Sequence, residues 1–151
     1  MKDLCFYFKG SWEIHRKIFI SDSQIPYAQA NGKVLLETRD NRDHYLFYHE
    51  SGKLNIIEDN SEISFFRNYQ YLFTEMGLDI YFDDLPTQKF YLYQQYFRKG
   101  SQLVTQEKHV CNKDLYNGRF EFLDDYNFMH YTSIYGPNKN YTIITEFTKR
   151  L

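Results

Sequence analysis

GSWEIHRKIFI, residues 10–20, alternates at period two along its whole length. Trp12, Ile14, Arg16, Ile18 and Ile20 fall on one face, and Glu13, His15, Lys17 and Phe19 fall on the other. That is the pattern of a half-buried strand. Gly10 allows a tight turn just ahead of it, and Trp12 is the only tryptophan in the chain. A side chain of that size at the start of a first strand is large enough to plug one end of a small barrel.

The rest of the chain continues in the same style. Of its 151 residues 20% are aromatic, and these alternate with charged residues, which favours strands over helices. Residues 1–9 read as a short lead-in with one helical turn through Leu4–Phe8, and 21–26 (SDSQIP) as a loop. Asn31-Gly32 has two readings. It is either a type I′ hairpin turn or a glycine allowing close packing within one bent strand. Ser51-Gly52 reads as a turn, and strands are expected over His44–Glu50, Lys53–Glu58, Ile63–Phe73, Leu78–Phe82 and Phe90–Phe97. Val104–Tyr116 and Arg119–Tyr126 are expected to be joined by a hairpin at Asn117-Gly118, with Phe128–Tyr135 and Tyr141–Arg150 to follow. Eight to ten short strands at hairpin spacing predict an all-β protein, a single antiparallel barrel forming one domain over 1–151.

Charge and cysteine content bound the function. The formal net charge is −2 and the Lys and Arg residues are scattered, which argues against nucleic acid as a partner. Cys5 and Cys111 are the only cysteines, far from a secreted disulfide framework, so a reducing compartment is expected. The N-terminus lacks the apolar core and cleavage site of a signal peptide, and no run approaches the ~20 apolar residues of a membrane span. The expectation is a soluble, cytoplasmic protein with no membrane partner. No metal or cofactor motif is present, and oligomeric state is left open.

Gly10-x-Trp12 with Arg16 is followed by Leu46-x-Tyr48-x-Glu50-x-Gly52, Arg67-x-Tyr69, His109-x-Cys111-x-x-Asp114-x-Tyr116 and Gly136-Pro-x-Lys139-x-Tyr141-x-Ile143, with Arg150 near the end. This order resembles the lipocalin and fatty-acid-binding superfamily, the calycins. Within it, it is similar to a family of small lipocalin-like domains catalogued without an assigned function. Phe128 and Tyr131 depart from that pattern, which often carries tryptophan late in the chain. The resemblance implies a calycin barrel in which Arg150 lies across Trp12 beside Gly10 and seals one end. A guanidinium can stack on indole while its donors satisfy nearby carbonyls. Lys149, one residue away, is expected to face oppositely and to matter little.

Three groups of residues carry the functional readings. Arg16, Arg67 and Glu50 are charges in apolar strands, either a ligand anchor inside the barrel or an internal ion-pair network. With Tyr48 and Tyr69, the two arginines are the candidate contacts for a small, partly apolar and acidic ligand. His109 is the candidate general acid or base of an alternative reading in which the barrel is an enzyme, with Asp114 orienting it and Cys111 or Tyr116 assisting. In a regular strand Asp114 and Tyr116 would lie opposite His109 and Cys111, and a bulge would be needed to unite them. His109 and Cys111 could form half of a metal site only if His44, His49 or His130 joined them by folding. A barrel filled by side chains, with a structural or protein-interaction role, is the third reading.

Overall fold

A computed structural model describes residues 3–39, 42–84, 89–106, 109–111, 114–137 and 139–151; the side chains of 84, 89–90, 109–111, 114–115 and 139 lie outside that description. Among the described residues, a one-turn helix α1 (Leu4–Phe8), capped by the Asp3 side chain, precedes eleven strands. These are β1 (Gly10–Ile20), β2 (Ala28–Glu37), β3 (Tyr45–Ile56), β4 (Ser61–Phe73), β5 (Gly77–Asp84) and β6 (Lys89–Lys99), then β7 (Gln102–Thr105), β8 (His109–Cys111), β9 (Asp114–Phe122), β10 (Asn127–Gly136) and β11 (Lys139–Lys149). Every pairing is antiparallel. β11 pairs with β1, and β10 pairs with both β11 and β9, so ten strands close into a barrel while β8 pairs with β9.

The period-two pattern sets what points inward. Trp12, Ile14 and Arg16 of β1 are buried, as are Leu46, Tyr48 and Glu50 of β3 and Thr145 and Phe147 of β11. α1 lies across one end. Phe8 is fully buried and meets Tyr71, Phe73, Phe120, Phe122 and Phe128, mostly edge to face. Trp12 donates its indole N–H to the Phe8 carbonyl at 2.8 Å and packs edge-on to Phe128. This end is solid.

Three glycine-containing dipeptides that look like turns are not turns. β2 runs straight through Asn31-Gly32 and β3 through Ser51-Gly52, and Gly32 sits directly opposite Gly52. A side chain on either would run into the other strand's backbone, so the glycines serve close strand packing. β9 likewise runs through Asn117-Gly118, where the missing Cβ makes room for the Tyr96 ring. The described reversal falls instead at residues 123–126, and β8 pairs antiparallel with β9.

The cation over Trp12 is Lys149, not Arg150. Register explains the correction. Trp12 pairs with Lys149, and residues directly opposite share a face. Lys149 Nζ lies 4.9 Å from the indole centroid and donates to the carbonyls of Lys9 at 2.6 Å and Tyr7 at 3.4 Å. Gly10, at φ +127, leaves space for the end of that side chain. Arg150 reaches outward to Glu13 at 3.5 Å.

Candidate functional site

Above the aromatic plug, the barrel interior turns polar. Arg16 projects inward from β1 and Glu50 from β3. The Arg16 Nη1 donates to Glu50 Oε2 at 2.9 Å and Nη2 to Oε1 at 2.7 Å, a two-pronged buried pair. Arg16 Nε donates to Thr145 Oγ1 at 2.8 Å, and the Tyr48 hydroxyl donates to Glu50 Oε1 at 2.5 Å. Burial alone would raise the Glu50 pKa, but the hydrogen bonds and charge of Arg16 hold it below the usual carboxylate value. Burial likewise works against the Arg16 charge, and Glu50 more than offsets it.

Arg67 sits opposite Glu50 in the β3–β4 ladder, but beyond the last described β4–β5 pair, Tyr69–Phe82. Its side chain is 49% exposed against 1% for Glu50, and its Nε stands 4.0 Å from Glu50 Oε2. Arg67 therefore rims the mouth. Beside it stand Tyr69 and Tyr93, stacked at 5.7 Å and 10°, with Phe82 at 4.3 Å from Tyr93. The half-buried Tyr116 meets Tyr93 edge-on at 6.2 Å.

Tyr93 is inside because of a bulge. The β5–β6 register slips between Ile80 and Tyr81, leaving Tyr93 as the extra residue, so that consecutive residues Tyr93 and Gln94 both line the interior. Gln94 Oε1 accepts from the Tyr96 hydroxyl at 2.5 Å, and the Tyr96 oxygen lies 2.7 Å from His130 Nε2. His130 stacks flat on Phe120 at 4.0 Å and 7°. Burial first, then the Arg16 charge, lowers its pKa to about 3, with Glu50 opposing; the imidazole is neutral at pH 7.

These groups enclose one cavity of about 50 Å³, lined by Arg16, Tyr48, Arg67, Tyr69, Gln94 and His130 among others. That is room for one or two waters (~30 Å³ each in the liquid) or a single functional group. The four residues named from sequence as ligand contacts, Arg16, Arg67, Tyr48 and Tyr69, thus stand around one space. Arg16 is not a free fork, since Glu50 already balances its charge. Sequence reading missed Gln94, Tyr93 and Thr145, and named His130 only as a possible metal ligand. A glutamine pair inside the aromatic run FYLYQQYF was the available signal for Gln94; the bulge left none.

Across β8–β9 the register sets His109 opposite Tyr116 and Cys111 opposite Asp114. Antiparallel pairing of β8 with β9, not a bulge, sets those four positions opposite one another. The side chains of His109, Cys111 and Asp114 lie outside the described residues.

The model of a family of unknown function, DUF6314, matches residues 8–149. No curated protein matches the chain. Among solved structures, the chain is similar to the S-type phycobiliprotein lyase CPES from Guillardia theta, with a TM-score of 0.59 at 10% identity, covering 98% of this chain and 91% of that one. It is also similar to a protein of unknown function from the DUF3598 family of Nostoc punctiforme, with a TM-score of 0.52 at 11% identity, covering 95% of this chain and 47% of that one. At such identities the likeness concerns the fold alone, a closed antiparallel β-barrel. No helix among the described residues is long and apolar enough to cross a membrane.

Proposed function

Because the chain belongs to DUF6314, a family that supplies no chemistry of its own, we infer its role from the barrel: it binds a small, partly apolar, acidic ligand at the mouth, with Arg67 as the anchor for the acid. One observation carries this reading. Among the described residues the carboxylate in ion-pair reach of Arg67 is Glu50, and Glu50 is already held by Arg16 through two short bonds. Among the described residues the rim therefore has a cation to spare, half-exposed, beside the stacked rings of Tyr69 and Tyr93. A cation set against aromatic faces suits a planar aromatic acid.

The cavity size restricts the class further. About 50 Å³ does not admit a long acyl chain, and the plug of Phe8, Trp12 and Phe128 blocks deeper entry. A compact aromatic acid seats one functional group in that space with its ring at the mouth, where a long acyl chain finds no room. The test is thermal unfolding in the presence of benzoate-type acids and of palmitate. Benzoate-type acids raise the unfolding temperature, palmitate leaves it unchanged, and Arg67→Leu weakens the acids at least tenfold while remaining folded. No shift with any aromatic acid at millimolar concentration overturns the reading.

A further inference from the structure

Gln94 ends inside the cavity with its amide half-used. It is 1% exposed, its Oε1 accepts from Tyr96, and its Nε2 has no partner among the described residues. An amide N–H buried without a partner is costly, so it persists where something else completes it. Turning the amide over does not remove the difficulty, since the unpaired atom then becomes an acceptor. The 2.5 Å contact to Tyr96 is an O–H···O length, shorter than N–H···O bonds run, and keeps the oxygen on that side.

The other groups around the space point the same way. The Arg16 guanidinium has N–H donors beyond the three bonded to Glu50 and Thr145. Glu50, the strongest acceptor present, is occupied by Arg16 and Tyr48. Gln94 and Arg16 thus hold N–H donors to spare beside a carboxylate that is already taken.

We propose that Gln94 recognises a carbonyl-type oxygen on the inner end of the ligand, so that the ligand class is a compact aromatic acid with an uncharged acceptor opposite its carboxylate. This rests on the mouth-binding reading above, and it adds the group that selects among acids. The hydrogen-bond chain also fixes its state: with Nε2 on the ligand and Oε1 on Tyr96–OH, the Tyr96 oxygen accepts from His130, which then carries its proton on Nε2.

The experiment compares 4-acetylbenzoate with 4-isopropylbenzoate, near-isosteric acids that differ by a carbonyl oxygen, by calorimetric titration. Wild-type protein binds the acetyl compound roughly tenfold tighter, a difference of about 1.4 kcal/mol. Gln94→Leu brings the two together while still binding the isopropyl acid. Equal affinities in the wild type, as when the amide keeps a water in both complexes, overturn the role of Gln94 and leave the acid-binding reading standing. Failure of both acids to bind overturns both. Nitrogen NMR of the His130 ring in the wild-type acetylbenzoate complex is the second measurement, independent of whether Gln94→Leu folds: a proton on Nε2 supports the assignment and one on Nδ1 overturns it.

Discussion

Replacing Lys149 with alanine removes a cation from the indole face of Trp12 and two hydrogen bonds from carbonyls at the end of α1. Together these contributions come to roughly 2 kcal/mol. Arg150→Ala breaks only an exposed pair with Glu13 and should change stability by less than about 0.5 kcal/mol. Urea denaturation of the two variants reverses the order expected from sequence; equal midpoints would refute it. The error arose from one position of register, which a sequence does not display and which flips every side chain. A second prediction concerns His130. Its folded pKa is about 3, against about 6.5 in the unfolded chain. Between those values the unfolded chain takes up a proton that the barrel refuses. Stability is therefore complete above about pH 6.5 and falls by about 1.4 kcal/mol per unit below it. The wild-type midpoint drops between pH 7 and pH 5, and most of that drop disappears in His130→Gln. A flat wild-type profile over that range would show that the ring is not sealed.

Among the elements, β9 and α1 carry predictions of opposite kinds. In β9, Gly118→Ala drives a methyl into the Tyr96 ring and should destabilise by about 1–3 kcal/mol. Asn117→Ala, next to it on the exposed side, should be silent within about 0.5 kcal/mol. If both are silent in thermal unfolding, Tyr96 does not occupy that space. In α1, Phe8→Ala empties the centre of the plug and should cost about 3–5 kcal/mol. The strands themselves were legible because each must separate an inner from an outer face, and that requirement writes period two into the sequence. Gly52 and Gly118 misled, and Gly32 stayed open between a turn and close strand packing, for an equally physical reason. Local sequence signals the permission a glycine gives, and the strand or ring that uses the permission lies far away along the chain. The bulge at Tyr93 and the meeting of His109 with Tyr116 were illegible on the same ground.

For the whole molecule, closure joins β1 to β11, a pairing that spans nearly the entire chain. Contacts of such sequence separation predict refolding in milliseconds to seconds, to be followed by stopped-flow fluorescence; completion within microseconds would argue against the topology. Much of the candidate site was legible in the inward charges Arg16, Arg67 and Glu50, since such charges in apolar strands demand partners. Which of them keeps charge to spare among the described residues was not, because it depends on how far the described β4–β5 pairing runs. The two ends of the barrel differ also in colour. The single indole is sealed in the plug, while tyrosines ring the mouth. Light absorbed by those tyrosines migrates to Trp12 as to an antenna's sink. An aromatic guest at the mouth that absorbs where tyrosine emits would intercept the transfer and dim Trp12, though it never touches the indole. Directly excited tryptophan emission would stay unchanged, so the ratio of the two excitations reads occupancy in the unlabelled protein.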